Sequence, residues 1–92
     1  MKIHELKTIQ PYFDRVWIGD KTFEIRKNDR DFQAGDKVIL KEYDSVSKTY
    51  TKKEIIGYIT YVLYNYEALE NGYCIFSFKI DDWIDNRDIL RK

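Results

Sequence analysis

The sequence predicts a mainly β domain of the α+β class, with one helix after the first strand. Three observations predict it. Aromatic residues make up 16% of the 92 positions, and eight of them are Tyr; Tyr and Phe favour pleated, half-buried surfaces. Several stretches alternate with a period of two, above all Thr22–Arg26 and Glu54–Tyr64, which is the signature of strands. The segment Gln10–Ile18 places apolar residues at helical spacing, with a Pro in its first turn and a Gly just after it.

Taken in order, Lys2–Ile9 reads as the first strand. It holds the only histidine, His4, which without a nearby Cys or second His reads as packed or hydrogen-bonded. The helix follows. Pro11 suits its first helical position, Tyr12 or Phe13 with Val16 and Trp17 gives it one apolar face, and Gly19 fits the left-handed closing position. A strand starts at Lys21 and breaks at the Asn28–Asp31 turn cluster, whose short polar side chains compete for local backbone partners. Phe32 is expected beneath that loop, and Gly35-Asp36 forms a second tight turn.

Lys37–Tyr43 is the next strand, with Val38 and Leu40 on one face and Ile39 on the other. A hairpin loop over Asp44–Lys48 leads to a short, charged edge strand, Thr49–Lys53. Glu54–Tyr64 is the longest strand; both faces are largely apolar, so it is central. One face holds Ile56, Tyr58, Thr60, Val62 and Tyr64, the other Ile55, Gly57, Ile59, Tyr61 and Leu63, and Gly57 marks a bulge or bend. After the loop Asn65–Gly72, with a helical turn through Glu67–Glu70, the last strand Tyr73–Ile80 sets Cys74, Phe76 and Phe78 against Tyr73, Ile75 and Ser77. Residues 81–92 form a tail. It is either a short helix capped by Asp81 or Asp82, placing Trp83, Ile84 and Leu90 against the domain, or a loose extension.

The length fits one domain, and such a chain buries about 60–65% of its unfolded surface. Sixteen basic residues balance 16 acidic ones, which argues against gripping nucleic acid by bulk charge. Residues 21–53 hold nine Lys or Arg against six acids, and residues 54–92 hold four against seven. A locally positive face opposite an acidic tail is compatible with that split. The single Cys74 excludes an internal disulfide and Cys-rich zinc sites, and it reads as a small core hydrophobe. With neither a signal peptide nor a long apolar run, the expectation is a cytoplasmic protein with no membrane partner, a monomer or weak dimer. No metal or cofactor is expected.

The chain is organised around Gly19–Arg30. Phe23 and Ile25 share one face of the strand, expected to be the core face. Thr22, Glu24 and Arg26 share the other, with Lys21 at the strand mouth. An acid and a base two residues apart lie roughly 6.6 Å apart along a strand that rises about 3.3 Å per residue. That spacing serves either a solvated outer face or a bracket around one small polar ligand.

Gly19-x-Lys21-Thr22-x-Glu24-x-Arg26, followed by Phe32–Leu40, resembles the ASCH domain (activating signal cointegrator homology), a family of the PUA-like superfamily of small β-barrels. Closer still is the resemblance to a short bacterial and phage branch with His4-Glu5-Leu6-Lys7 in its first strand and Thr22–Arg30 nearly verbatim. The resemblance covers roughly residues 3–80. It implies a small mixed β-barrel over residues 1–80, with the helix plugging one end.

It also implies a binding module for RNA or a modified nucleoside or nucleotide, held in a cleft. Lys21, Arg26, Lys27 and Arg30 would hold phosphate or a base edge, Thr22 and Glu24 would line the cleft, and Glu24 would accept from an exocyclic amine. Tyr43, Tyr50 or Tyr64 would offer a ring, or else pack as ordinary strand residues. One branch of the family consists of small amidohydrolases that deacetylate N4-acetylcytidine with the motif Gly-x-Lys-Thr-x-Thr-x-Arg. Gly19, Lys21, Thr22 and Arg26 match it; Glu24 stands where that branch has a catalytic Thr, and its downstream Glu has no placed counterpart. Such an enzyme would use Lys21 as base or nucleophile and Glu24 as its proton partner. A third reading is a phage-type accessory protein that binds another protein through an aromatic edge.

Overall fold

The computed structural model describes residues 1–87 and contains β1 (Ile3–Thr8), α1 (Tyr12–Trp17), β2 (Phe23–Lys27), β3 (Lys37–Asp44), β4 (Thr49–Tyr64) and β5 (Tyr73–Asp85). The strands form one mixed sheet in the order β1-β3-β4-β5-β2. Only the β1–β3 pair is parallel. The sheet curls into a half-barrel, so the expected mainly β fold with one helix after the first strand is what forms. Its concave side holds the core, including Leu6, Phe13, Val38, Leu40, Ile55, Ile59, Cys74 and Phe76. Helix α1 contributes Phe13 and Val16, both fully buried, and Trp17 packs beside them. Pro11 stands at the N-cap, so α1 starts at Tyr12, one position later than expected, and Gly19 closes the helix at φ +92°.

The first correction concerns β2. Phe23 and Ile25 are 42% and 55% exposed, whereas Glu24 is 3% exposed. The alternation was right and the choice of face was inverted. Register decides it: Glu24 pairs with Phe76 and Arg26 with Cys74, two residues on the concave side of β5. Paired residues share a face of the sheet, so Glu24 and Arg26 must turn inward.

The second correction joins elements. The short edge strand and the long strand are one continuous β4, whose first part pairs with β3 through Tyr50 and Tyr43. As expected, β4 is central, and a bulge falls at Gly57. A second shift, between Ile59 and Tyr61, swaps the faces of β4. Beyond it Val62 packs on the core and Tyr61 is exposed, where strict alternation predicts the reverse. The third correction is the tail. β5 runs on to Asp85 along Lys53–Ile56 of β4, so no helix starts at Asp81 or Asp82. The Trp83 indole Nε1 donates to Trp17 O at 2.9 Å, tying this end of β5 to α1. Leu90 lies outside the described residues.

His4 is packed and hydrogen-bonded, as expected of a lone histidine. Its Nε2 lies 2.8 Å from Asp36 Oδ2, and its ring packs 4.6 Å from Phe32. Asp36 is more than a turn residue: it is 3% exposed and accepts from the backbone N–H groups of Lys2 and Gln33. Burial pushes its carboxyl up, but the His4 contact and the two N–H donors outweigh burial and hold it below the usual aspartate value. Burial, aided by the charge of Asp29, pushes the Cys74 thiol up, which suits a core residue.

Candidate functional site

A curled sheet whose end strands do not pair leaves a seam between them, here between β1 and β2. Two guanidinium groups cross it. Arg26 Nη2 donates to Lys7 O at 3.0 Å and to Thr8 Oγ1 at 3.3 Å, and Arg30 Nη1 donates to Glu5 O at 2.8 Å. The carbonyls on the open edge of β1 thereby find partners without a neighbouring strand.

Glu24 lies beneath the seam and each of its oxygens is taken. Oε1 accepts from Arg26 Nε at 3.0 Å and from Nη2 at 2.8 Å, and Oε2 pairs with the Lys21 ammonium. Lys21 Nζ also donates to Phe23 O at 2.6 Å and lies 5.0 Å from the ring centroid of Phe23 and 5.9 Å from that of Tyr12. Local structure aims this lysine: Gly19 ends α1, and Lys21 N then donates back to Arg15 O at 3.0 Å. A carboxylate as buried as Glu24 needs compensation, and two cations supply it.

Beside this trio opens a cavity of about 560 Å³. Ile9, Tyr12, Phe23 and Ile25 form its apolar walls; Lys7, Thr8, Lys21, Glu24 and Arg26 line the rest. The structure therefore brings Lys21, Glu24 and Arg26 together at one concavity. Thr22 is exposed and lines none of it; its carbonyl accepts from Phe78 N at 3.3 Å. Lys27 is exposed at the end of β2, and Arg30 serves the seam farther along β1. Tyr43 and Tyr50 pack edge to face at 5.0 Å, Tyr64 is exposed at the end of β4, and none of the three lines the cavity.

Tyr12 is the site residue that sequence reasoning missed. Its helix face left Tyr12 or Phe13 as the core residue; Phe13 took the core and freed the Tyr12 ring for the pocket. Lys7, Thr8 and Ile9 carry no local signal, because only the curl of the sheet brings β1 to β2. Among the described residues, no cluster of three or more His, Cys, Asp or Glu side chains has metal-binding geometry, and no helix is long and apolar enough to cross a membrane.

Residues 3–78 match the family described as a domain of unknown function, DUF3850. The chain is also 43% identical over 59 residues to an uncharacterised 12.9 kDa protein in the GpA 3′ region of Escherichia phage P2, an alignment covering 64% of this chain and 52% of that protein. The chain thus spans about half the length of the relative it matches.

Proposed function

We propose, for a chain that belongs to the DUF3850 family, that it is a binding module of the ASCH, PUA-like type that takes RNA or a nucleotide-like ligand, with one base or modified nucleoside in the seam pocket. The observation that carries this is the company of Tyr12 and Phe23 with Lys21 and Arg26 around one cavity of about 560 Å³. That volume falls in the range of small-molecule sites, roughly 300–1,000 Å³. Unstacked bases are recognised by rings that stack on them and by donors at their edges. Tyr12 and Phe23 are 51% and 42% exposed, so ring surface remains for a ligand. A formal net charge of zero favours one nucleotide in a cleft over a long backbone track. The likeness of Lys21–Arg30 to the ASCH signature supports the same reading.

A second reading, the amidohydrolase acting on N4-acetylcytidine-like nucleosides, draws on one observation: Lys21 Nζ meets Glu24 at the pocket wall. One set of measurements separates the two. Short single-stranded RNA, nucleosides and nucleotides are titrated at moderate salt against the native protein, Tyr12→Ala and Lys21→Ala, with thermal unfolding as a fold control. Binding by the native protein, weakened roughly tenfold in each variant, is expected. Failure of every ligand to bind, or affinities untouched in both variants, removes the binding reading. Release of cytidine and acetate from N4-acetylcytidine, abolished in Lys21→Ala, would replace it with the enzyme.

A further inference from the structure

The hydrogen-bonding capacity left open at the seam leans toward donors. Both oxygens of Glu24 are taken by cations. Its side chain is 5% exposed, against 18% for Lys21 and 25% for Arg26. A ligand entering the cavity therefore meets the cations before the carboxylate. An ammonium carries three donors, and Lys21 spends them on Glu24 and Phe23 O with one in reserve. A guanidinium carries five; Arg26 uses those on Nε and Nη2, and its Nη1 bonds no acceptor among the described residues.

The surrounding charge has the same sign. Lys21 and Arg26 line the cavity against the single carboxylate of Glu24; Lys7 lines it too, but its Nζ lies 4.6 Å over the ring of Tyr43, outside the cavity wall. Ile9, Tyr12, Phe23 and Ile25, all about half exposed, form the other side, an apolar wall on which a flat body can pack. An exocyclic amine finds only the remaining acceptor site of Oε2, on a carboxylate that is 5% exposed. An oxygen anion finds up to three open donors.

We infer that the seam pocket selects a ligand carrying an anionic oxygen group, a phosphate or carboxylate, on a flat apolar body, with Arg26 Nη1 and Lys21 Nζ as its donors. Glu24 is then a positioning residue that holds both cations and makes no contact of its own. This rests on the seam pocket being the ligand site, and it narrows the reading above from a base edge to the anion that accompanies the base. The anion has two possible carriers, a nucleotide or another aromatic acid.

The test is a set of matched titrations by calorimetry: uridine against uridine 5′-monophosphate, cytidine against cytidine 5′-monophosphate, and phenol against phenyl phosphate. The phosphorylated member of each binding pair is expected to bind at least about tenfold tighter. Its affinity should fall between 50 and 300 mM NaCl, which narrows the Debye length about 2.4-fold, while any binding by the uncharged partner stays level. Lys21→Gln should close most of the gap. The salt comparison uses the native protein alone, so the inference stays testable if a variant fails to fold. Equal affinity of nucleoside and nucleotide overturns the anion preference and leaves nucleoside binding standing. Binding of phenyl phosphate with neither nucleotide bound upholds the anion preference and overturns the nucleotide reading. No binding by any probe overturns both.

Discussion

At the scale of the residue, Glu24 shows how a charged side chain comes to be buried. Its strand neighbours Phe23 and Ile25 are the apolar ones, yet they face outward. Burying a carboxylate is costly, but Arg26 binds one oxygen twice and Lys21 binds the other, so the charge enters already neutralised. Removing one partner from such a set strands the rest. Glu24→Ala should therefore destabilise by about 3 kcal/mol in urea unfolding, because Lys21 and Arg26 are left partly buried without a counter-charge. Phe23→Ala and Ile25→Ala should cost about 1 kcal/mol each, as suits half-exposed sites. A loss of several kcal/mol on truncating Phe23, with little at Glu24, would mean that β2 presents its other face to the core.

At the scale of the element, β4 is where local pattern and tertiary pairing part company. Its length and central place follow from two apolar faces in sequence. The positions at which its faces swap do not, because a bulge is a property of two strands and their register. Gly57 is the legible exception. A Cβ there would lie 2.3 Å from Lys79 O, a backbone atom that cannot swing away, just where β4 and β5 lose register. Gly57→Ala should destabilise by about 1–3 kcal/mol, the usual range for forced overpacking, read as a lower thermal midpoint with amide protection lost first across residues 55–58 and 78–82. An unchanged midpoint would show that the β4–β5 bulge yields at no cost. The tail shows the same limit. An Asp pair before Trp and Ile suits a helix cap, yet residues 81–85 extend β5 because β4 offers Lys53–Ile56 as an open partner. Local propensity is a weak force beside a ladder that a long neighbour leaves unpaired.

At the scale of the whole molecule, Asp36 joins three distant parts. It accepts from Lys2 N and Gln33 N, holds His4 of β1, and its carbonyl accepts from Ile59 N of β4 at 2.8 Å. Its carboxyl titrates below the ordinary value of 3.8 in the folded chain. A lowered folded value means that the unfolded chain binds the proton more readily. The stabilisation is thus complete above about pH 4 and is lost as the pH falls through the folded value. Native stability should drop as the pH falls below about 4 more steeply than that of Asp36→Asn, and the variant should already be weaker at pH 7. Parallel curves for the two proteins would mean that Asp36 contributes nothing to acid unfolding. The sequence by itself determined the β class, the helix after the first strand with its Pro and Gly boundaries, the alternating faces of β3 and β5, and the packed character of His4 and Cys74. Each of these follows from periodicity, backbone restriction or residue chemistry within a few positions along the chain. Only the tertiary structure decided which face of β2 turns inward, that Phe13 rather than Tyr12 enters the core, and that Arg26 of β2 and Arg30 in the loop beyond it reach across to β1. These depend on strand register and on the curl that brings the two ends of the sheet together, and both are set by groups far apart in the chain.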